Sequence, residues 1–434
     1  MNYETANRAY RAWLLSKPFE ALRFALPETD TEQQHPLCVL TMALVLGRKK
    51  GSALAMPALL KVQELCQSAG DFPLAVLAAE YAVQFGAAPE PQFSKLAAVF
   101  SSASAKLDRK SWTPPLPTSC KSIDGDLKLD EEQLFGRAEK QLESFLMQDL
   151  PASKDSVPML PLFSEIDEQS FTALLSSAHL RHYGADEYVF SEGAYGSEWY
   201  CLLHGELEHY RTDHQARRLS RELAAASVVG QEVLTSDAPR YSTLRSKSPC
   251  SLLVLQREQV ERQISKQAKL AEALGSFCHR RMLADLLVFN PILHALRDQG
   301  EVLSKFKAVR FEQGQTLLKA GENPNALYCI ASGAVQVTRR TKDGEIMQLA
   351  RLGAGEVIGE IALVLGKKIT ADVVAEHATL AFELSKKSFE KIMQSNAQLL
   401  QQLQALAMSR EKEHAALEDA ENHLVVDHTI PIVI

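Results

Sequence analysis

The sequence predicts an α+β multidomain chain: an all-helical N-terminal region followed by two small β-barrels with flanking helices. Three observations carry that reading. The first hundred or so of the 434 residues are rich in Ala and Leu at helical spacing. Two later stretches, 158–255 and 288–384, set short apolar alternations between glycines, as strands joined by tight turns do. Those two stretches also repeat one another. Gly193 and Gly321, Gly205 and Gly333, Tyr183 and Phe311 are each 128 residues apart. Gly230 and Gly359 are 129 apart, and Pro161 and Pro291 are 130 apart. Glycines in constant register mark turns that need positive φ, so the pattern reads as one barrel duplicated.

Within residues 1–107, the run 59–86 is interrupted at Gly70-Asp71. That break predicts two antiparallel helices, with Ala75, Ala79 and Ala82 at a close helix–helix contact. The hairpin resembles a tetratricopeptide unit, although the earlier helices lack a clean 34-residue period. Residues 108–128, with Trp112-Thr-Pro-Pro-Leu-Pro117 and Asp124-Gly-Asp126, read as a linker. A helix is expected over about 129–148, with Asp130-Glu-Glu132 as its capping segment. One helix is expected between the barrels, over 257–288, and another over 386–423. In the latter, Phe389, Ile392, Asn396, Leu399, Leu403 and Leu406 form an a/d-like seam that Arg410 and Glu413 interrupt. The seam packs on its own barrel or, alternatively, pairs two copies as a coiled coil. An extended apolar tail, 424–434, follows.

The bulk properties narrow the function. A formal charge of −7 and no long basic run argue against a nucleic-acid partner. Seven dispersed cysteines without a CxxC argue against a disulfide framework or a zinc site, and fit a reducing compartment. No basic-then-apolar leader opens the chain and no run of about 18 apolar residues occurs, so a cytoplasmic location without a membrane span is expected. No nucleophile elbow, P-loop, HExxH or dinucleotide fingerprint is present, and His204 and His209 are poorly spaced co-ligands, so an enzyme is not expected.

Two segments per repeat carry a resemblance. Lys319 to Gly333 and Gly355-Glu-Val-Ile-Gly-Glu-Ile-Ala-Leu363 resemble the strand–turn–strand and the phosphate-binding cassette of cyclic-nucleotide-binding domains. Glu192 to Gly205 and Gly230-Gln-Glu-Val-Leu234 through Pro239-Arg240 resemble the same elements. The resemblance implies two jelly-roll-like barrels with this division: 1–107 helical and tetratricopeptide-like, 108–150 linker and helix, 151–287 first domain, 288–400 second domain, 401–434 terminal helix and tail. It is strongest to bacterial proteins joining a helical region to two such barrels.

The family's cassette opens a short helix with Gly-Glu. The helix N–H groups face the cyclic phosphate, the Glu accepts from the ribose hydroxyl, and an Arg ten residues after the Gly grips the phosphate. Neither repeat has all three. In the first, Gly230 is followed by Gln231, with Glu232 expected to point elsewhere, while Pro239-Arg240 is intact. In the second, Gly359-Glu360 is intact but Ile369 stands at the phosphate position, next to Lys368, with Asp372 nearby to repel an anion. Losing one partner of a desolvated charge pair costs about 2–5 kcal/mol, roughly 30-fold to several thousand-fold in affinity. The first barrel is therefore the better seat for an effector such as cyclic AMP or cyclic GMP, through Gly230, Gln231, Glu232, Pro239 and Arg240; Gly359, Glu360 and Lys368 form the degenerate counterpart. The resemblance implies signal transduction by a non-enzymatic regulatory protein that needs no cofactor. Its protein partner would bind the helical region or the terminal helix, with homodimerisation through that helix as a variant. The alternative is a ligand-independent scaffold whose barrels and helical region are docking surfaces.

Overall fold

The computed structural model describes residues 3–27, 34–111, 129–212, 218–235, 237–296, 299–341 and 344–426. Six helices open the chain: α1 Tyr3–Leu14, α2 Pro18–Ala25, α3 Pro36–Lys50, α4 Ala55–Ala69, α5 Phe72–Gln84 and α6 Pro89–Phe100. Consecutive helices pack on each other. The α4–α5 turn forms at the expected place. Gly70 takes φ +76, the left-handed conformation that glycine adopts at no steric cost. Asp71 then caps α5 by accepting from Leu74 N at 3.3 Å. Ala75, Ala79 and Ala82 are fully buried in that hairpin.

Strand β1, Leu107–Ser111, pairs in parallel with β2, Val157–Met159, so residues 108–111 of the expected linker are strand instead. The rest of that linker lies outside the described residues. Between the two strands, α7 (Glu131–Met147) starts at a capping box made by Asp130 and Gln133. Helix α8, Glu168–Ser177, leads into the first barrel.

That barrel comprises β3 His179–Tyr183, β4 Tyr188–Phe190, β5 Glu198–His204, β6 Leu207–Thr212, β7 Arg218–Leu223, β8 Val228–Val229, β9 Thr243–Ser246 and β10 Cys250–Gln256. Its sheets run β3-β10-β5-β8 and β4-β9-β6-β7. Helices α9 (Arg257–Ile264) and α10 (Ala268–Phe289) follow, so the expected single helix is two. After the one-turn α11 (Gly300–Leu303), the second barrel comprises β11 Phe306–Phe311, β12 Thr316–Leu318, β13 Ala326–Ser332, β14 Ala334–Arg340, β15 Ile346–Gly353, β16 Val357–Ile358, β17 Asp372–Ala375 and β18 Thr379–Ser385, with α12 Glu360–Val364 after β16. Its sheets, β11-β18-β13-β16 and β12-β17-β14-β15, repeat the first barrel's strand order position for position. This is the jelly-roll arrangement.

The last helix also divides. α13 (Lys386–Ser395) ends at Asn396, whose φ −135 and ψ 69 are not helical, and α14 (Ala397–Val426) begins after it. Asn396 is thus a break rather than a coiled-coil position, and its side chain receives a hydrogen bond from Gln299 at 3.1 Å. Phe389, Ile392, Leu399 and Leu403 join the second barrel's core. The seam therefore packs on its own barrel. Residues 424–426, expected as the start of an extended tail, are helical; 427–434 lie outside the described residues.

The helical region does not stand apart from the barrels. Its core is continuous with one side of the first barrel. At the junction, Tyr10 Oη lies 2.9 Å from Tyr81 Oη and 3.0 Å from Ser251 Oγ, and His182 bridges Tyr81 at 3.1 Å and Ser251 at 2.9 Å. His204 meets Asn7 at 2.8 Å. Burial pushes His182 down to about 4 and His204 down to about 3, so both are neutral hydrogen-bonding groups here.

Glu80 on α5 is buried, and burial pushes its carboxyl up to about 8. An ordinary glutamate in the unfolded chain titrates near 4.3. The folded state thus holds its proton longer, and the contribution of Glu80 to stability falls as pH rises from about 4.5 to 8. Glu80→Gln, which mimics the protonated form, is expected to raise the melting temperature at pH 8, by the equivalent of one to a few kcal/mol (roughly). The gain should vanish near pH 4.5 in a thermal melt series.

Candidate functional site

Each cassette begins where a short sixth strand ends at a glycine. Gly230 and Gly359 take φ +85 and +87. A Cβ on Gly359 would come within 2.9 Å of Ala326 O, and one on Gly230 within 3.1 Å of an Arg240 nitrogen. Both glycines are therefore required by backbone angle and by close approach. Beyond them the repeats diverge: the first makes a 3₁₀ turn, Gln231–Leu234, and the second makes α12.

In the first barrel Arg240 is buried, with 2% of its side chain exposed. Its Nη1 donates to Glu232 Oε1 at 2.7 Å and to Gly230 O at 2.9 Å, and its Nη2 donates to Glu198 O. The guanidinium lies over the Phe190 ring, 4.4 Å from its centroid. Glu232 therefore does not point elsewhere, as the sequence reading had it: the 3₁₀ turn, with three residues per turn, aims it at Arg240. Gln231 is buried. Its Nε2 is 3.5 Å from Asp285 Oδ2 on α10, so it faces that helix rather than a ribose position. Pro239 is exposed, just before the buried arginine.

Helix α10 closes this barrel. Asp285 pairs with Arg221 at 2.5 Å and lies 3.6 Å from Arg281. Burial pushes the Asp285 carboxyl up, but the two guanidiniums outweigh burial and hold it below its usual range. Phe289 sets its ring edge-on to His209, centroids 4.7 Å apart, and His209 in turn bonds Ser242 at 2.7 Å. The first barrel's polar interior is thus filled by its own residues and by α10.

The second barrel keeps an open cleft of about 130 Å³ at its cassette. Leu318, Val337, Leu349, Ile358, Ile369 and Val373 are among the apolar residues of its wall. Glu360 lies in it with 3% of its side chain exposed. Its cation comes from far along the chain: Arg410 on α14 donates Nη1 to Glu360 Oε1 at 2.7 Å and Nη2 to Glu356 Oε2 at 2.6 Å. Arg410 also donates to Val357 O at 2.5 Å. The sequence reading missed this role, although it noted Arg410 and Glu413 as charges breaking an apolar seam, the signal of a buried polar partner. Both Glu413 and His414 line the same cleft.

Ile369 occupies the place of Arg240. Gly193 N donates to Arg240 O at 2.7 Å, and Gly321 N donates to Ile369 O at 2.8 Å, one hydrogen bond in two repeats. Lys368 is exposed and outside the cleft wall, and Lys367 reaches Glu411 at 2.6 Å. Asp372 is not among the residues of the cleft wall; its Oδ1 accepts from Ala320 N at 2.8 Å. Among the described residues, no group of three or more His, Cys, Asp or Glu is placed to hold a metal ion, and no helix is long and apolar enough to cross a membrane.

Arg410→Ala strips the cation from a buried Glu360. Breaking such a pair costs about 3–5 kcal/mol. Thermal denaturation should show that loss, and Glu360→Gln in the same chain should recover part of it.

The cyclic nucleotide-binding domain family matches residues 180–267 and 308–396. The type II regulatory subunit of cAMP-dependent protein kinase from Drosophila melanogaster is 24% identical over 243 residues, a match spanning 55% of this chain and 61% of that protein's length. Among solved structures, the regulatory domain of Toxoplasma gondii PKA, crystallised with cAMP, is 23% identical with a TM-score of 0.29, covering 57% of this chain and 92% of that one. The regulatory subunit of a cAMP-independent protein kinase A from Trypanosoma brucei is 19% identical with a TM-score of 0.29, covering 60% and 90%. With the duplicated strand order and the two glycine-led cassettes, the family match identifies a chain that carries two cyclic nucleotide-binding domains in tandem behind a helical N-terminal region.

Proposed function

We propose that this chain is a non-enzymatic regulatory protein whose second barrel seats a small effector and whose C-terminal helix reports that it is there. The observation that carries the reading is the cleft at Gly359-Glu360, one wall of which is α14 with Arg410. A ligand hydroxyl that bonds Glu360 competes with Arg410 for the same carboxylate. Occupancy then loosens α14 and alters the surface a protein partner meets. Because Ile369 replaces the phosphate-gripping arginine and Glu413 adds negative charge to the wall, the effector that fits is a ribosyl compound of little charge.

A second reading keeps an anionic effector, cyclic AMP or cyclic GMP, in the first barrel on Gly230, Gln231, Glu232, Pro239 and Arg240. The register of Arg240 favours it, and it requires Arg240 to exchange Glu232 for the effector's phosphate. The two readings separate in isothermal titration of the full chain. Cyclic AMP, cyclic GMP and cyclic di-GMP are compared with adenosine and guanosine, in wild type, Glu360→Gln and Arg240→Ala. Nucleoside binding weakened about tenfold or more by Glu360→Gln, roughly 1.4 kcal/mol, is the expected result. Cyclic-nucleotide binding abolished only by Arg240→Ala moves the seat to the first barrel. No heat with any compound leaves the scaffold reading, with the barrels as docking surfaces.

A further inference from the structure

The first barrel answers a separate question: what Arg240 does when no effector is present. A buried guanidinium needs a negative partner, and the turn after Gly230 supplies one. We infer that Glu232 is an internal anion, standing where an effector's phosphate would stand and setting the first barrel in one state without a ligand. The carboxylate is almost fully buried, as is Arg240, and the two are 2.7 Å apart. Two backbone carbonyls, Gly230 O and Glu198 O, hold the same guanidinium from other sides, and Phe190 lies beneath it. The pair is electrically neutral, so it exerts no net pull on an incoming phosphate. An anion that took Arg240 would leave Glu232 buried and uncompensated beside a second negative charge, which the interior strongly disfavours. The second barrel lacks this device. Its inward carboxylate is at the first cassette position, and its cation is at residue 410 rather than within the cassette. Glu232 therefore fixes which barrel is closed to anions. The inference does not depend on what, if anything, enters the second barrel.

The test removes the internal anion and offers one from solution. Melting temperatures of wild type, Glu232→Ala, Glu232→Gln and Glu232→Ala/Arg240→Ala are measured in sodium acetate, inorganic phosphate and cyclic AMP, against sodium chloride at equal ionic strength. Wild type is expected to ignore the change of anion. Glu232→Ala is expected to melt lower by on the order of 5–10 °C. Acetate or phosphate should restore much of that loss in a saturable way, and the double variant should not respond. The inference is overturned if Glu232→Ala melts like wild type, if no anion stabilises it above the chloride control, or if wild type binds cyclic AMP through Arg240. Should Glu232→Ala not fold, the near-isosteric Glu232→Gln decides. Stabilisation by phosphate or acetate that Arg240→Ala removes supports the internal anion, and a flat response refutes it.

Discussion

A carboxyl group taken out of water must keep its proton, as Glu80 does, or meet a cation, because burying a bare charge costs more than a fold can spare. Both barrels contain such a carboxylate beside the glycine that opens the cassette, and the arrangement around each follows from where its cation comes. In the first, Arg240 lies eight residues from Glu232, so the pair closes within one loop. The barrel is then free to bury its remaining polar groups against α10. In the second, Glu360 has no cation in its own cassette, because Ile369 takes the arginine's place, and the chain must bring one back from α14. That return fixes where α14 lies across the barrel and leaves the cleft beneath it.

The barrels are also tied to what surrounds them. α10 seals the first barrel with Asp285 and Phe289 and then hands the chain on through Asn290, whose side-chain nitrogen donates to Gly355 O of the second barrel at 2.8 Å. On the other side, Tyr10, Tyr81, His182 and Ser251 lock the helical region to the sheet containing β3 and β10. The face of α1 and α5 that carries these residues is therefore occupied by the chain itself.

Much of this was legible in the sequence, and the reasons differ from residue to residue. The glycines were readable because positive φ leaves few alternatives, and their constant spacing gave the duplication. Ile369 was readable because its register with Arg240 is set by backbone pairing that both repeats share. Glu232 was misjudged because helix geometry was assumed where the chain makes a 3₁₀ turn, and a side chain's direction changes with that choice. Asn396 fitted a seam by spacing alone, yet its backbone leaves the helix. Arg410 could be seen only as an interruption, because its partner is about fifty residues away in sequence and no local pattern joins them. Strand β1 was hidden in a segment of linker-like composition because its partner, β2, lies on the far side of α7.

The distance from Glu360 to Arg410 has a further meaning for how the chain is made. Domains generally fold as units as they leave the ribosome, the N-terminal ones first. The contacts described for the first barrel are complete once Phe289 has emerged. The second barrel's buried carboxylate, by contrast, waits for residue 410. During that interval the nascent chain carries one finished barrel and one with an unpaired charge in its cleft. The order of synthesis thus leaves the second cassette without its cation after the first has received its own.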